Sequence, residues 1–158
     1  MKTILILEEH HEISSALKDI SHNISGAYIY TTANTMHIEE YISKTAELLI
    51  CGINCTVDFH TLPAIKTVVF PIDCFDGFAN INDSTQFVSC GMHEKDSISL
   101  TSSLDDSYNV TVNRELRKLD NSLLGIGEIA LHKNECTSDE AFLLAFGGAV
   151  CGGLIDIP

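Results

Sequence analysis

The stretch Thr3-Ile4-Leu5-Ile6-Leu7 is followed at once by Glu8-Glu9-His10-His11, and this boundary decides the fold. A run of apolar and β-branched residues this short is typical of a strand buried on both faces and too short for an ordinary helix. The polar run opens a helical pattern in which Ile13, Leu17 and Ile20 recur on one face. The sequence therefore predicts the first strand, turn and helix of an α/β sheet.

Later apolar segments repeat this pattern through residue 91. The further predicted strands are Ala27 to Tyr30, Glu47 to Cys51, Ile65 to Phe70 and Gln86 to Cys90. The predicted helices between them run from Asn34 or Thr35 through Ile42 and from Asp73 to Asn80, and Asn54 to Leu62 is predicted to form a weak helix or a loop. Because strands and helices alternate, residues 1–91 are predicted to form a Rossmann-like open sheet of five mostly parallel strands, with helices on both faces.

Residues 92–158 have a different pattern. Ser97 to Ser102 and Tyr108 to Leu116 alternate apolar and polar residues around an Asp105-Asp106-Ser107 turn, which predicts an antiparallel hairpin. A third ribbon strand is predicted from Leu123 to Leu131. Ser138 is predicted to cap a last helix that is apolar nearly all round and therefore buried. With no linker or repeat, the chain is predicted to form a single α/β domain.

Composition excludes several classes of partner. The 158 residues carry 9 basic and 22 acidic side chains, a formal net charge of -13. Nucleic acid and anionic membranes bind clustered Lys and Arg, so neither is an expected partner. No apolar run reaches the ~20 residues that span a bilayer, and the first strand does not resemble a signal peptide. We therefore expect a cytoplasmic protein whose six cysteines are reduced thiols.

Polar residues gather where the predicted parallel strands end, which is where ligands bind in such sheets. The candidate ligand-binding residues are Glu8, His10, Asn54, Asp73, Cys74 and His93. Their spacing does not match a metal site, and no residue is assigned as catalytic. Cys74, beside Asp73, is the best candidate for a nucleophile, although a thiol packed beneath a loop is the more common arrangement.

Phosphate-binding loops are absent from the sequence. There is no G-x-x-x-x-G-K-[ST] motif, and Glu and His replace the glycines of a G-x-G-x-x-G motif after the first strand. Classical ATP hydrolysis and dinucleotide chemistry are therefore not expected, and no cofactor is predicted.

The second half of the chain carries a family resemblance. Phe87-Val88-Ser89-Cys90-Gly91-Met92 precedes a polar antiparallel stretch, and Leu131-His132-Lys133-Asn134 precedes a buried helix from Ala141 to Leu154. These segments, about the last ninety residues, resemble the central ATP-binding domain of Mur ligases, and Thr67 to Asp76 resembles that family's acidic strand end. The family's phosphate loop and metal-binding strand have no counterpart here. The resemblance implies a remnant without ligase activity, with a nucleotide-sized groove or a role as partner of a cell-wall enzyme.

Three hypotheses follow from the sequence. The first is a non-catalytic Rossmann-like module that binds a small molecule or a protein partner. The second is a small enzyme that uses a Cys/His/Asp set at the strand ends, with Cys74 or the His10 and His11 pair. The third is a structural homodimer in which an unpaired ribbon edge at Tyr108 to Leu116 pairs with its twin.

Overall fold

The computed structural model describes residues 2–22, 24–32, 47–52, 65–72, 84–133, 137–155 and 157. The helices predicted between residues 34 and 42, 54 and 62, and 73 and 80 lie outside these residues. The strands are β1 (Lys2–Leu7), β2 (Ala27–Thr32), β3 (Leu48–Cys51), β4 (Thr67–Pro71), β5 (Gln86–Gly91), β6 (Ile98–Ser103), β7 (Ser107–Val112), β8 (Leu116–Arg117), β9 (Leu123–Leu124) and β10 (Gly127–His132). The helices are α1 (Glu12–Ile20) and α2 (Asp139–Gly152), and a 3₁₀ turn covers Ile24–Gly26.

Eight strands form one sheet in the order β2-β1-β3-β4-β5-β6-β7-β10. All neighbours from β2 to β6 are parallel, whereas β7 runs antiparallel to both β6 and β10. The predicted α/β fold with a mostly parallel sheet is confirmed. The strand order reverses between β1 and β3, which makes the carboxyl ends of these two strands the topological switch point where such sheets hold ligands.

The ribbon extends the sheet, whereas the sequence predicts a five-strand sheet followed by a ribbon. β6 joins β5 in parallel, and the predicted third ribbon strand is divided into β9, which pairs with β8, and β10, which pairs with β7. The predicted unpaired edge at Tyr108 to Leu116 is wrong, because β7 has a neighbour on each side and β10 forms the edge. Alternation in a sequence indicates which residues are half-buried, but it does not identify the neighbouring strand.

Both described helices lie on the same face of the sheet. Ile13 and Leu17 of α1 join Ile4, Ile50 and most of α2 in one buried cluster. The prediction of a buried, capped last helix is confirmed: α2 is buried from Ala141 to Gly152, and the Ser138 hydroxyl oxygen accepts a hydrogen bond from the Ala141 N–H at 3.2 Å. Neither helix in the described part of the chain has the length and apolarity needed to cross a membrane.

Candidate functional site

The switch point holds a cleft of about 310 Å³ at the carboxyl ends of β1 and β3. Glu8, which follows β1, lines this cleft and is only 7% exposed. Its two carboxylate oxygens accept hydrogen bonds from the backbone N–H groups of Ile13 at 2.6 Å and Ser14 at 3.1 Å. These are N–H groups of the first turn of α1, where an anion such as phosphate binds in related folds. Glu8 therefore fills the anion position of this helix with the chain's own carboxylate.

The N-cap residue of the second helix also donates its backbone N–H to a carboxylate. The Ser138 N–H, at the start of α2, donates to Glu12 Oε1 at 2.6 Å, and the Ser138 hydroxyl in turn caps α2. Two helix N-termini thus converge on the cleft, and each has a carboxylate of this chain against its N–H groups. A phosphate would meet the three carboxylates of Glu8, Glu9 and Glu12 there, so the cleft is unsuited to a nucleotide.

The structure brings together two of the six predicted site residues. His10 lines the same cleft as Glu8, but its side chain is 87% exposed and its Nε2 lies 4.0 Å from the Glu9 carboxylate. His93 is exposed in the turn after β5, where its N–H donates to the buried Asp96 carboxylate at 3.2 Å. Asn54, Asp73 and Cys74 lie outside the described residues. Among the residues described, no group of His, Cys, Asp or Glu is arranged to hold a metal ion.

The three described thiols are buried in the sheet and in α2. They belong to Cys51, Cys90 and Cys151, and Cys90 and Cys151 are free thiols. Burial raises the pKa of Cys151 to about 12. Burial, with smaller contributions from Cys151 and Asp96, also raises the pKa of Cys90 well above its ordinary value. These two thiols remain protonated at neutral pH, which is the opposite of what a nucleophilic cysteine requires.

A second cavity, of about 640 Å³, lies between α1, the start of α2, the β6–β7 turn and the end of β10. We call it the α1–β10 groove. Its apolar lining is formed by Ala16, Ile20, Leu131 and Phe142. Its polar lining is formed by Asp19, Asp105, Asp106, His132, Lys133 and Thr137. The groove therefore combines a hydrophobic floor with three carboxylates and one primary amine.

The amine of Lys133 is held at one end of the groove. Its Nζ donates to Ser103 Oγ at 2.9 Å, lies 3.9 Å from Asp139 Oδ1 and sits 5.0 Å from the centre of the Tyr108 ring. The Tyr108 hydroxyl donates to the same Asp139 oxygen at 2.9 Å. Burial and, to a smaller extent, this hydrogen bond raise the pKa of Tyr108. Tyr108 also stacks on Phe142 at 4.1 Å between ring centres. The positive charge of Lys133 therefore lies beside Asp139.

The carboxylates of the β6–β7 turn remain available. Asp105 and Asp106 are exposed, and neither takes part in an ion pair within the described ranges. The turn itself is fixed by the Leu104 N–H, which donates to the Ser107 carbonyl at 2.9 Å, and by the Lys133 N–H, which donates to the Asp106 carbonyl at 3.0 Å. The two side chains are thus carried on a rigid turn at the groove.

The α1–β10 groove is not predictable from the sequence pattern. The prediction that Asp105 and Asp106 lie in a turn is correct, and no pattern gives Asp19 a role. The sequence contains no signal that joins these residues, because α1 and the β6–β7 turn are far apart in the chain and alternation does not identify β10 as the edge strand. Of the groove residues, His132 and Lys133 stand out in the sequence only through the resemblance to Mur ligases.

The chain matches no protein-family model, and no curated protein sequence matches it.

Proposed function

We propose that this protein is a non-catalytic α/β binding module that takes a small organic cation with an apolar body in the α1–β10 groove. The observation that carries the proposal is the pairing of a hydrophobic floor with the carboxylates of Asp19, Asp105 and Asp106 in one cavity. Ligand sites of this kind are concave and mostly apolar, with a few polar groups that orient the ligand.

The size of the groove supports a small-molecule ligand. Its volume of about 640 Å³ lies within the range of roughly 300–1,000 Å³ that is typical for such sites. An alkyl or aryl group on the floor would cover the half-buried side chains of Ile20 and Leu131, removing apolar surface from water. An ammonium group on the same ligand would then lie near the turn carboxylates.

The charge of the groove and of the chain selects a cation. Among the described residues that line the cavity, Asp105 and Asp106 contribute two carboxylates, and the ammonium of Lys133 is engaged by Asp139. The formal net charge of -13 adds a long-range field that attracts cations and repels anions. A nucleotide, the ligand class implied by the resemblance to Mur ligases, would be repelled by both. That resemblance and the expected cytoplasmic location stay predictions.

The enzyme hypothesis also stays a prediction, because Asp73 and Cys74 lie outside the described residues. In the described part of the chain, the remaining members of that set are spread between the switch-point cleft and the turn after β5. No observation here favours a reaction over binding.

Isothermal titration with 2-phenylethylamine tests the proposal. We expect saturable binding to the wild-type protein, and at least about tenfold weaker binding to an Asp105→Asn/Asp106→Asn variant, because two neutralised carboxylates remove more than about 1.4 kcal/mol of attraction in a partly apolar site. Glu115→Gln, which removes one exposed carboxylate outside the groove, is the control and should bind nearly as the wild type does. Binding that the Asp variant leaves unchanged would refute the proposal, as would no binding at all.

A further inference from the structure

The strand β10 presents an open edge that is separate from the switch-point cleft and shares Leu131 and His132 with the lining of the α1–β10 groove. Glu128, Ala130 and His132 are exposed, and in the described part of the chain no strand pairs with the outer side of β10. Ile129 and Leu131, the alternate residues, pack against the buried cluster on the helix face. One face of this edge strand is therefore polar and the other apolar.

The backbone of β10 offers a regular row of hydrogen-bonding groups along that edge. The Lys133 N–H donates to the Asp106 carbonyl, and in the same register Leu131 lies opposite Tyr108 and Ile129 lies opposite Val110. Since successive residues of an antiparallel pair direct their backbone groups alternately inward and outward, the N–H and C=O groups of Glu128, Ala130 and His132 point away from β7.

Three features that protect natural edge strands are missing from β10. These are Pro, Lys within the strand and a bulge, whereas Glu128 does place one charge on this edge. β10 contains neither Pro nor Lys, and its pairing with β7 continues without a register shift. The pairing of β6 with β7, by contrast, does contain a shift between Leu100 and Ser102. β10 is thus straight enough to accept another strand along its whole length.

We propose that the occupant of this edge is a second copy of the same chain, with the two β10 strands antiparallel around a two-fold axis at Ala130. In this pairing, a residue whose backbone N–H and C=O groups point away from β7 must lie opposite a residue of the same kind in the second copy. Glu128 therefore lies opposite His132 of the second copy, Ala130 lies opposite itself, and Ile129 lies opposite Leu131 of the second copy. The small Ala130 side chain leaves room on the axis.

This register is the one in which the strand complements itself. A shift by two positions in either direction would place Ala130 opposite Glu128 or opposite His132, and would leave one end residue without a partner on the other strand. In the register centred on Ala130, the acid and the imidazole meet at both ends and the apolar residues meet on the helix face. Cross-strand pairs of these kinds stabilise antiparallel sheets. The resulting dimer would have one continuous sheet.

Sedimentation equilibrium at several concentrations and near-physiological salt tests this proposal, since salt screens the repulsion between two copies of net charge -13. We expect a reversible dimer for the wild type. Ala130→Lys places two ammonium groups against each other on the axis, and the dissociation constant should rise by at least about tenfold. The side chain at position 130 is exposed in the single copy, so the variant should melt at the wild-type temperature when both are compared as monomers.

Two further variants separate this interface from a general effect of charge. Leu123→Lys adds the same charge at an exposed apolar residue of β9, outside β10, and should dimerise as the wild type does. Glu128→Lys should weaken the dimer by placing Lys opposite His132, and adding His132→Glu should restore it by placing a carboxylate opposite that Lys. A wild-type protein that stays monomeric up to millimolar concentration would overturn the proposal. So would a dimer that Ala130→Lys leaves intact.

Discussion

At the scale of single residues, Glu8 is predicted from the sequence to bind a ligand, but its side chain stabilises the start of α1. Its carboxylate accepts two N–H groups of the first turn of α1 while almost fully buried. We expect Glu8→Ala to lower the free energy of unfolding by about 1–3 kcal/mol, because two buried N–H groups lose their acceptor. Urea denaturation measures this change.

Glu9→Ala is the matched control for that substitution. The Glu9 side chain is 71% exposed, so its removal should change stability by less than about 0.5 kcal/mol. If Glu8→Ala were as mild as Glu9→Ala, the assignment of Glu8 as the cap of α1 would be wrong and its role as a ligand-binding residue would again need consideration.

The buried thiols make the protein sensitive to alkaline pH. In the unfolded chain a thiol ionises near the ordinary pKa of 9.0, whereas burial raises the pKa of Cys151 to about 12 in the folded protein. Above pH 9 the unfolded state therefore binds fewer protons than the folded state, and stability falls as pH rises. The contribution is complete below pH 9 and is lost progressively towards pH 12, at up to about 1.4 kcal/mol per pH unit for one thiol.

Urea unfolding of the wild type and of Cys151→Ala across this alkaline range checks the prediction. The variant should be less stable at neutral pH because it leaves a cavity, but its stability should fall less steeply with pH. Equal slopes for the two proteins would show that Cys151 does not titrate as its burial requires.

At the scale of elements, the close approach of α2 to the sheet depends on glycine. A Cβ atom at Gly148 would overlap Cδ1 of Ile50 in β3, and one at Gly147 would lie 3.0 Å from Cγ1 of Val69. We expect Gly148→Ala to destabilise the protein by about 1–3 kcal/mol, because Ile50 must leave its packed position. Thermal unfolding followed by circular dichroism measures the effect.

Gly125→Ala serves as the control for the glycine substitution. Nothing lies within 4 Å of a Cβ atom at Gly125, so the added methyl group meets open space and the melting temperature should hardly change. An equally small effect of Gly148→Ala would mean that α2 does not pack against β3 as closely as described.

Element patterns in the sequence predicted much of this architecture, for a physical reason. A strand buried on both faces must be apolar throughout, so β1 is visible from its residues alone, and a cap such as Ser138 is visible because it acts within one turn of helix. Sheet edges and cavities depend on which elements become neighbours. The open edge at β10 and the α1–β10 groove were missed for that reason, and Glu8 was assigned to ligand binding because its bonds to α1 cannot be read from residue type.

At the scale of the whole molecule, charge and shape lead to the same class of ligand. The negative net charge of the chain concentrates cations near its surface. In the switch-point cleft, the backbone N–H groups that could bind an anion already donate to the carboxylates of Glu8 and Glu12. The α1–β10 groove is lined by the carboxylates of Asp105 and Asp106 on the hydrogen-bonded β6–β7 turn and by that of Asp19 on α1. Amine binding should therefore weaken as salt rises, because the attraction is partly screened. Calorimetric titrations at low and high salt measure this effect.

The most direct test of the proposed function is an NMR titration with 2-phenylethylamine and, separately, with its uncharged counterpart 2-phenylethanol. The two molecules share their apolar body and differ in charge. The account predicts that the amine binds at least about tenfold more tightly and that the largest shift changes occur at Ile20, Leu131 and Phe142, with little change at His10. Equal affinity for the two compounds, or shift changes centred on the cleft of Glu8 and His10, would contradict it.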